Sequence, residues 1–170
     1  MNKIAEVHQA LKEWAKPNGY DPIIPFAQGH LETGGYSCEL SKHNNFFGMF
    51  VTSGWWGSVY ECLTHEYETV DGKLQRVPHI TKFKAFENPT QCFVEYDKYV
   101  SNKFPEAYKH RTEYKVYYKG LMTYSDDFKG GKTIIYPSFC TAPGYELALI
   151  KRYEELSKGS GGYELVASFE

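Results

Sequence analysis

A carboxylate in the last turn of a helix that then stops abruptly is placed to act as a proton donor. Residues 21 to 50, DPIIPFAQGHLETGGYSCELSKHNNFFGMF, set up that arrangement around Glu32. The final carbonyls of a helix carry the negative end of its dipole, and partial burial disfavours a charged carboxylate, so both effects raise the pKa of Glu32. A raised carboxyl pKa is what a general acid needs. A glutamate at a helix end is also a common surface residue, and the surrounding residues have to separate the two readings. His8 neighbours Leu11 on the apolar side of an earlier helix and reads as a boundary residue. The cysteines at 38, 62, 92 and 140 are far apart with no C-x-x-C pair, and no histidine–carboxylate group has ligand spacing. No metal, cofactor or disulfide framework is therefore expected.

The element that must carry Glu32 is written plainly. Asp21 is a good helix cap, Pro22 suits the first position, and Pro25 still falls where backbone N–H groups lack intrahelical acceptors. The pattern predicts a helix over residues 22–33, with Ile23, Ala27 and Leu31 in one stripe beside Ile24 and with Gly34-Gly35 as its stop. Upstream, Ile4, Val7, Leu11 and Trp14 share a helical face that ends at residues 16–19. Downstream, residues 38–43 form a short helical turn leading into Asn44-Asn45. Side-chain amides in a turn satisfy backbone groups or offer donors to a ligand, and Asn45 is a candidate for both. The glycine-punctuated loop VTSGWWGS at residues 51–58 presents Trp55 as a candidate platform for stacking on sugar rings.

The periodicity then changes to two. Residues 59–70 and 73–86 flank Asp71-Gly72 and predict a hairpin, with Pro78 confining the return strand to an edge or a bulge. Asn88 and Pro89 begin another helix, with Phe93, Tyr96, Tyr99 and Val100 on its face. The tyrosine-rich stretch 104–124 fits either a helix or a cleft lining. Residues 125–131 read as a polar loop. Tyr145, Leu149, Tyr153 and Leu156 mark a closing helix that Gly159 stops, and the residues beyond read as a flexible joint and tail.

The 170 residues predict one ordinary domain over 1–158 with a joint and tail over 159–170. A net charge of −2 with scattered basic residues excludes the footprint of a nucleic-acid binder. No apolar run is long enough for membrane insertion, and the N-terminus carries no readable export signal. A monomer is expected. The 15 tyrosines and 3 tryptophans exceed ordinary packing needs and suit a groove that stacks on sugars.

Ala27-Gln28, then Leu31-Glu32-Thr33-Gly34, then Asn44-Asn45-Phe46-Phe47-Gly48 resemble the glucosaminidase family of bacterial cell-wall hydrolases, which carry an A-Q-x-x-L-E-T-G-x-x-x-S block followed by N-N-x-F-G. The resemblance implies an α+β, lysozyme-like fold, mainly helical with a small antiparallel β-hairpin lobe. It further implies hydrolysis of β-1,4 bonds in peptidoglycan glycan strands on the reducing side of N-acetylglucosamine, with Glu32 as general acid. Gln28 and Phe47 enter as substrate-binding candidates through the same blocks. Thr64-His65-Glu66-Tyr67 matches the family's T-x-E-Y stretch, which makes Glu66 the candidate second carboxylate, with Glu61 and Glu68 as rivals.

Two departures stand out. Residues 138–145, SFCTAPGY, resemble the family's G-Y-A-T-D-P-x-Y box, but Phe139 replaces a tyrosine implicated in the active site and Ala142 replaces the aspartate. Tyr136 and Tyr145 are the candidates to supply the missing phenol. Gly35-Tyr36 stands where the family has tryptophan-glycine. The expected activity is an endo-β-N-acetylglucosaminidase, with a muramidase or lytic transglycosylase of the same fold as the alternative and an inactive wall-binding or virion module as the second. For a wall hydrolase without a readable signal, release through a membrane pore or delivery with a virion is expected, as in phage-encoded enzymes.

Overall fold

The computed structural model describes residues 2–70, 72–126, 132–134, 138–140, 142, 144–159 and 169, and the side chains of 64–70, 73–74, 76, 125–126 and 132–134 lie outside that description. The expectations placed on Tyr136 and on most of the tail therefore fall outside the described residues.

The first helix, α1 (Lys3–Trp14), is capped by Asn2, whose side-chain oxygen accepts from Ile4 N at 3.1 Å, and it buries Val7, Leu11 and Trp14 as its pattern requires. A 3₁₀ turn ends it, and Gly19 closes that turn in the left-handed region at φ 72°. The next helix, α2, spans Ile23–Glu32, one residue shorter at each end than the sequence predicts. Asp21 starts it by accepting from Ile23 N at 2.9 Å. Gly34 and Gly35 stop it at φ 58° and 80°, with Gly35 N reaching back to His30 O at 2.8 Å.

The single apolar stripe expected on α2 is corrected. Every residue from Ile24 to His30 is buried, so this helix is the centre of the domain rather than one wall of it. Its neighbours supply the polar partners that such burial demands. Tyr118 donates to Ile24 O at 2.9 Å and Tyr36 donates to Phe26 O at 2.8 Å.

A short α3 (Glu39–Lys42) leads to the long hairpin, in which β1 (Val59–Val70) pairs antiparallel with β2 (Lys73–Lys84). The register closes from Val70↔Lys73, with Gly72 at φ 73° in the two-residue loop, and Pro78 sits opposite His65. Asn88 caps α4 (Pro89–Lys103) by accepting from Gln91 N at 3.0 Å; Phe93, Tyr96 and Val100 are buried, while Tyr99 stays partly exposed. The stretch left open at 104–124 resolves into α5 (Pro105–Lys109) and α6 (Tyr114–Gly120). Gly120 lets them meet, because a Cβ there would lie 2.7 Å from Ala107 N.

A second, smaller antiparallel pair, β3 (Tyr124–Asp126) with β4 (Lys132–Ile134), flanks the stretch read as a polar loop and takes Ser125 and Asp126 from it; three-residue strands fall below the length at which alternation registers. The closing helix α7 (Tyr145–Ser157) packs along α2 and is tied to its start by Tyr153, which donates to Asp21 at 2.6 Å. The tail is not wholly uncoupled, as the glycines had suggested. Phe169 packs on the core with its ring 4.3 Å from that of His8 and 6.0 Å from that of Phe26. Among the described residues, no helix is long and apolar enough to cross a membrane.

Candidate active site

Because α2 stops at Glu32, its last side chain projects past the buried part of the helix into a cleft of about 340 Å3. Leu31, Glu32, Cys140, Ala142, Gly144, Tyr145 and Ala148 line this cleft. Two observations describe the carboxyl. Glu32 keeps substantial solvent access, more than the half-burial expected from its position on the helix. The protein around it still disfavours the ionised form, and this desolvation raises its pKa above the usual carboxylate value, opposed by a hydrogen bond from Tyr145. An acid that is reachable from solvent and yet reluctant to ionise has the two properties that proton donation requires.

Tyr145 is at the first turn of α7, and its hydroxyl donates to Glu32 Oε1. Burial, and then the neighbouring Glu32 charge, push its phenol well above the usual tyrosine range, so it remains a donor. Phe139 lies parallel to it, with ring centroids 6.3 Å apart and planes 5° from parallel. Of the two phenols the sequence offers in place of the lost tyrosine, Tyr145 is the one seen beside Glu32. His30, two residues before Glu32, is held neutral, its pKa lowered to about 4 by burial and by the Arg152 charge.

The other candidates are dispersed. Gln28 has no exposed surface and approaches the cleft only through Tyr145, to which its amide donates at 3.4 Å. Asn45 is also fully buried, and its amide donates to Met49 O and Lys84 O and accepts from Met49 N, each at 2.9 Å. That pattern fastens the end of β2 to the turn. Phe47 is 4% exposed and stacks on Tyr96 at 3.8 Å, while its edge lines a second, apolar hollow of about 170 Å3 with Met49, Phe50, Tyr99 and Phe139.

Trp55 is half-buried against Phe86, donates to Ser58 O at 3.0 Å and carries Lys84 over its ring at 4.5 Å. Trp56 is the one left open, at 95% exposure. The strand residue Glu66 lies on β1 opposite Val77, and its side chain is outside the described residues. Among the described residues, no group of three or more histidine, cysteine, aspartate or glutamate side chains could hold a metal ion. All four cysteines are free thiols.

A family model described as mannosyl-glycoprotein endo-beta-N-acetylglucosaminidase matches residues 8–158. The chain belongs to the glucosaminidase family. It is accordingly a glycoside hydrolase by family. Solved structures with the same lysozyme-like fold include the catalytic domain of the autolysin Auto from Listeria monocytogenes, at 17% identity over 99% of this chain and 85% of that one with a TM-score of 0.68. A truncated glycoside hydrolase domain of FlgJ from Salmonella typhimurium matches at 21% identity, 92% and 97% coverage and a TM-score of 0.64. A peptidoglycan hydrolase mutant from Sphingomonas sp. A1 matches at 22% identity, 99% and 94% coverage and a TM-score of 0.60. No curated protein sequence matches the chain.

Within this member of the family, the residues missed by the sequence reading are Cys140, which shares the cleft with Glu32, and Tyr96 and Tyr117, whose hydroxyls are 2.7 Å apart. Nothing in the sequence separates those two tyrosines from ordinary core aromatics.

Proposed function

We propose that the chain is a peptidoglycan hydrolase, an endo-β-N-acetylglucosaminidase that cleaves the β-1,4 bond between N-acetylglucosamine and N-acetylmuramic acid. The observation that carries the proposal is Glu32: a carboxyl at the stop of a buried helix, open to a cleft, with a raised pKa and one oxygen held by Tyr145. In this reading the protonated Glu32 gives its proton to the departing sugar oxygen as the bond to the anomeric carbon lengthens. Either water attacks the anomeric carbon from the opposite face with Glu66 taking its proton, or the 2-acetamido oxygen of the substrate attacks that face to form a transient ring. Water then opens the ring from the side the leaving group has vacated, giving its proton to the Glu32 carboxylate.

The glycan strand is the partner, and one chain acts alone without a cofactor. Trp56 and the apolar hollow beside Phe47 offer surfaces on which sugar rings can stack. Phe139 keeps the aromatic ring of the missing tyrosine, and Tyr145 supplies the hydroxyl. Lysis of walls after pore-mediated release or virion delivery belongs to the same proposal.

Digestion of purified peptidoglycan followed by borohydride reduction and mass spectrometry tests it. New reducing ends at N-acetylglucosamine support the assignment. Reduced N-acetylmuramic acid or an anhydro sugar would replace it with a muramidase or a transglycosylase, and unchanged walls would leave an inactive binding module.

A further inference from the structure

Four consecutive hydrogen bonds connect Glu32 to the middle of the domain. Tyr145 donates to Glu32 Oε1, Gln28 Nε2 donates to the Tyr145 oxygen at 3.4 Å, Tyr96 donates to Gln28 Oε1, and the hydroxyls of Tyr96 and Tyr117 are 2.7 Å apart. Gln28, Tyr96 and Tyr117 are each 0% exposed. Water therefore has no access to the links among these three residues.

The direction of the chain follows from counting protons. A carboxylate can only accept, so the Tyr145 proton is committed to Glu32. The Tyr145 oxygen then needs a donor, and the NH2 end of the Gln28 amide supplies it. That orientation turns the amide oxygen towards Tyr96, which must donate. The Tyr96 proton is then in use, so Tyr117 has to donate to Tyr96. Every bond points from the core to Glu32, and each donor is strengthened by the bond it accepts.

The reverse polarity would be damaging to an acid. With the amide turned over, Tyr145 would donate to the Gln28 oxygen, and a protonated Glu32 would direct its own hydrogen at Tyr145 rather than at the cleft. We propose that Tyr96, backed by Tyr117, is a positioning residue for Glu32: by holding the Gln28 amide in one orientation it keeps Tyr145 donating to Oε1, so that the transferable proton rests on Oε2. This inference rests on Glu32 being the acid. Among the described residues, the titratable groups that line the cleft with Glu32 are Tyr145 of α7 and Cys140 of the segment before it. Burial raises the pKa of all three phenols, which stay protonated throughout the working range.

Tyr96→Phe keeps the ring stacked on Phe47 and removes only the hydroxyl. The expected result is a fall in kcat of roughly tenfold with KM nearly unchanged, and a basic limb of the kcat profile displaced to higher pH because Tyr145 becomes a weaker donor to the carboxylate. The Glu32 carboxyl carbon, followed by 13C NMR, should titrate at higher pH in the same variant. Tyr117→Phe should move both readouts in the same direction by less, since Tyr96 still donates to Gln28. It carries the test if Tyr96→Phe does not fold.

A folded Tyr96→Phe with an unmoved Glu32 titration, or with its whole loss in KM, overturns the proposal. So does an unmoved titration in Tyr117→Phe when Tyr96→Phe does not fold. The NMR titration reports on the chain whether or not Glu32 is the acid. Turnover of Glu32→Gln reports on the acid whether or not the chain matters.

Discussion

The hydroxyl of Tyr145 donates to Glu32 Oε1 and so joins the first turn of the closing helix to the last turn of the helix that carries the candidate acid. One bond thus spans 113 residues of sequence and touches the carboxyl on which the chemistry is proposed to depend.

Tyr145→Phe removes a donor that opposes the raised pKa of Glu32, so that pKa should rise further. Turnover should fall by roughly tenfold or more, because the orientation of the carboxyl is lost with the bond. The Gln28 amide also loses its acceptor in a buried site, so the melting temperature should drop as well. Kinetics on purified walls together with thermal melts measure both effects.

Glu32→Gln should lower turnover by roughly 100-fold or more while leaving the fold intact, since an amide keeps the shape of the carboxyl but has no proton to give. The pKa of this group is raised in the folded state, so its contribution to stability is fully present below the ordinary carboxylate range and is lost as pH rises through the raised value. The glutamine variant should therefore melt slightly above the parent at neutral pH, and the gap should close as the solution is acidified. A variant that melts lower at neutral pH and turns over at the parent's rate would remove Glu32 from the mechanism.

Among the strand carboxylates, Glu61 is engaged with Lys82 at 2.9 Å on an exposed surface. Glu61→Gln should leave turnover nearly unchanged. Glu66→Gln should reduce it far more than Glu61→Gln or Glu68→Gln if Glu66 activates the attacking water. Equal effects from all three would favour assistance by the 2-acetamido group of the substrate.

Removal of the chain after Lys158 should lower the melting temperature by roughly 3 °C or more, because Phe169 leaves the rings of His8 and Phe26. Phe169→Ala in the full chain should reproduce most of that loss. An unchanged melt in both would show that the tail contributes nothing to the core.

The parts of the fold legible in the sequence are those governed by local rules. Gly34-Gly35 marks the helix stop that places Glu32, the Asp71-Gly72 step marks the hairpin, and the spacing of Tyr145, Leu149 and Leu156 marks the closing helix. What escapes is decided by distant partners. Gln28, Gly29 and His30 count as polar or neutral in any periodicity, so a helix buried on all sides reads as one with a single stripe. Asn45 and Gln28 have the chemistry of ligand-binding amides, and only the positions of Lys84 and Tyr96 show where their bonds go. Tyr96 lies 68 residues from Gln28 and 21 from Tyr117, distances over which no spacing rule operates.

The contact between Tyr36 and Phe26 O crosses α2 directly over Gly29, where a Cβ would come within 2.9 Å of the Tyr36 hydroxyl and 3.3 Å of Phe46 Cβ. Tyr36 accepts a left-handed φ of 60° to reach that place. Positions 29 and 36 are therefore one unit of heredity split across two codons. A larger residue at 29 requires a shorter side chain at 36 and a shift of Phe46 as well. A designer who grafts a tyrosine with the place and φ of Tyr36 onto another backbone must carry a glycine at the position of Gly29 with it.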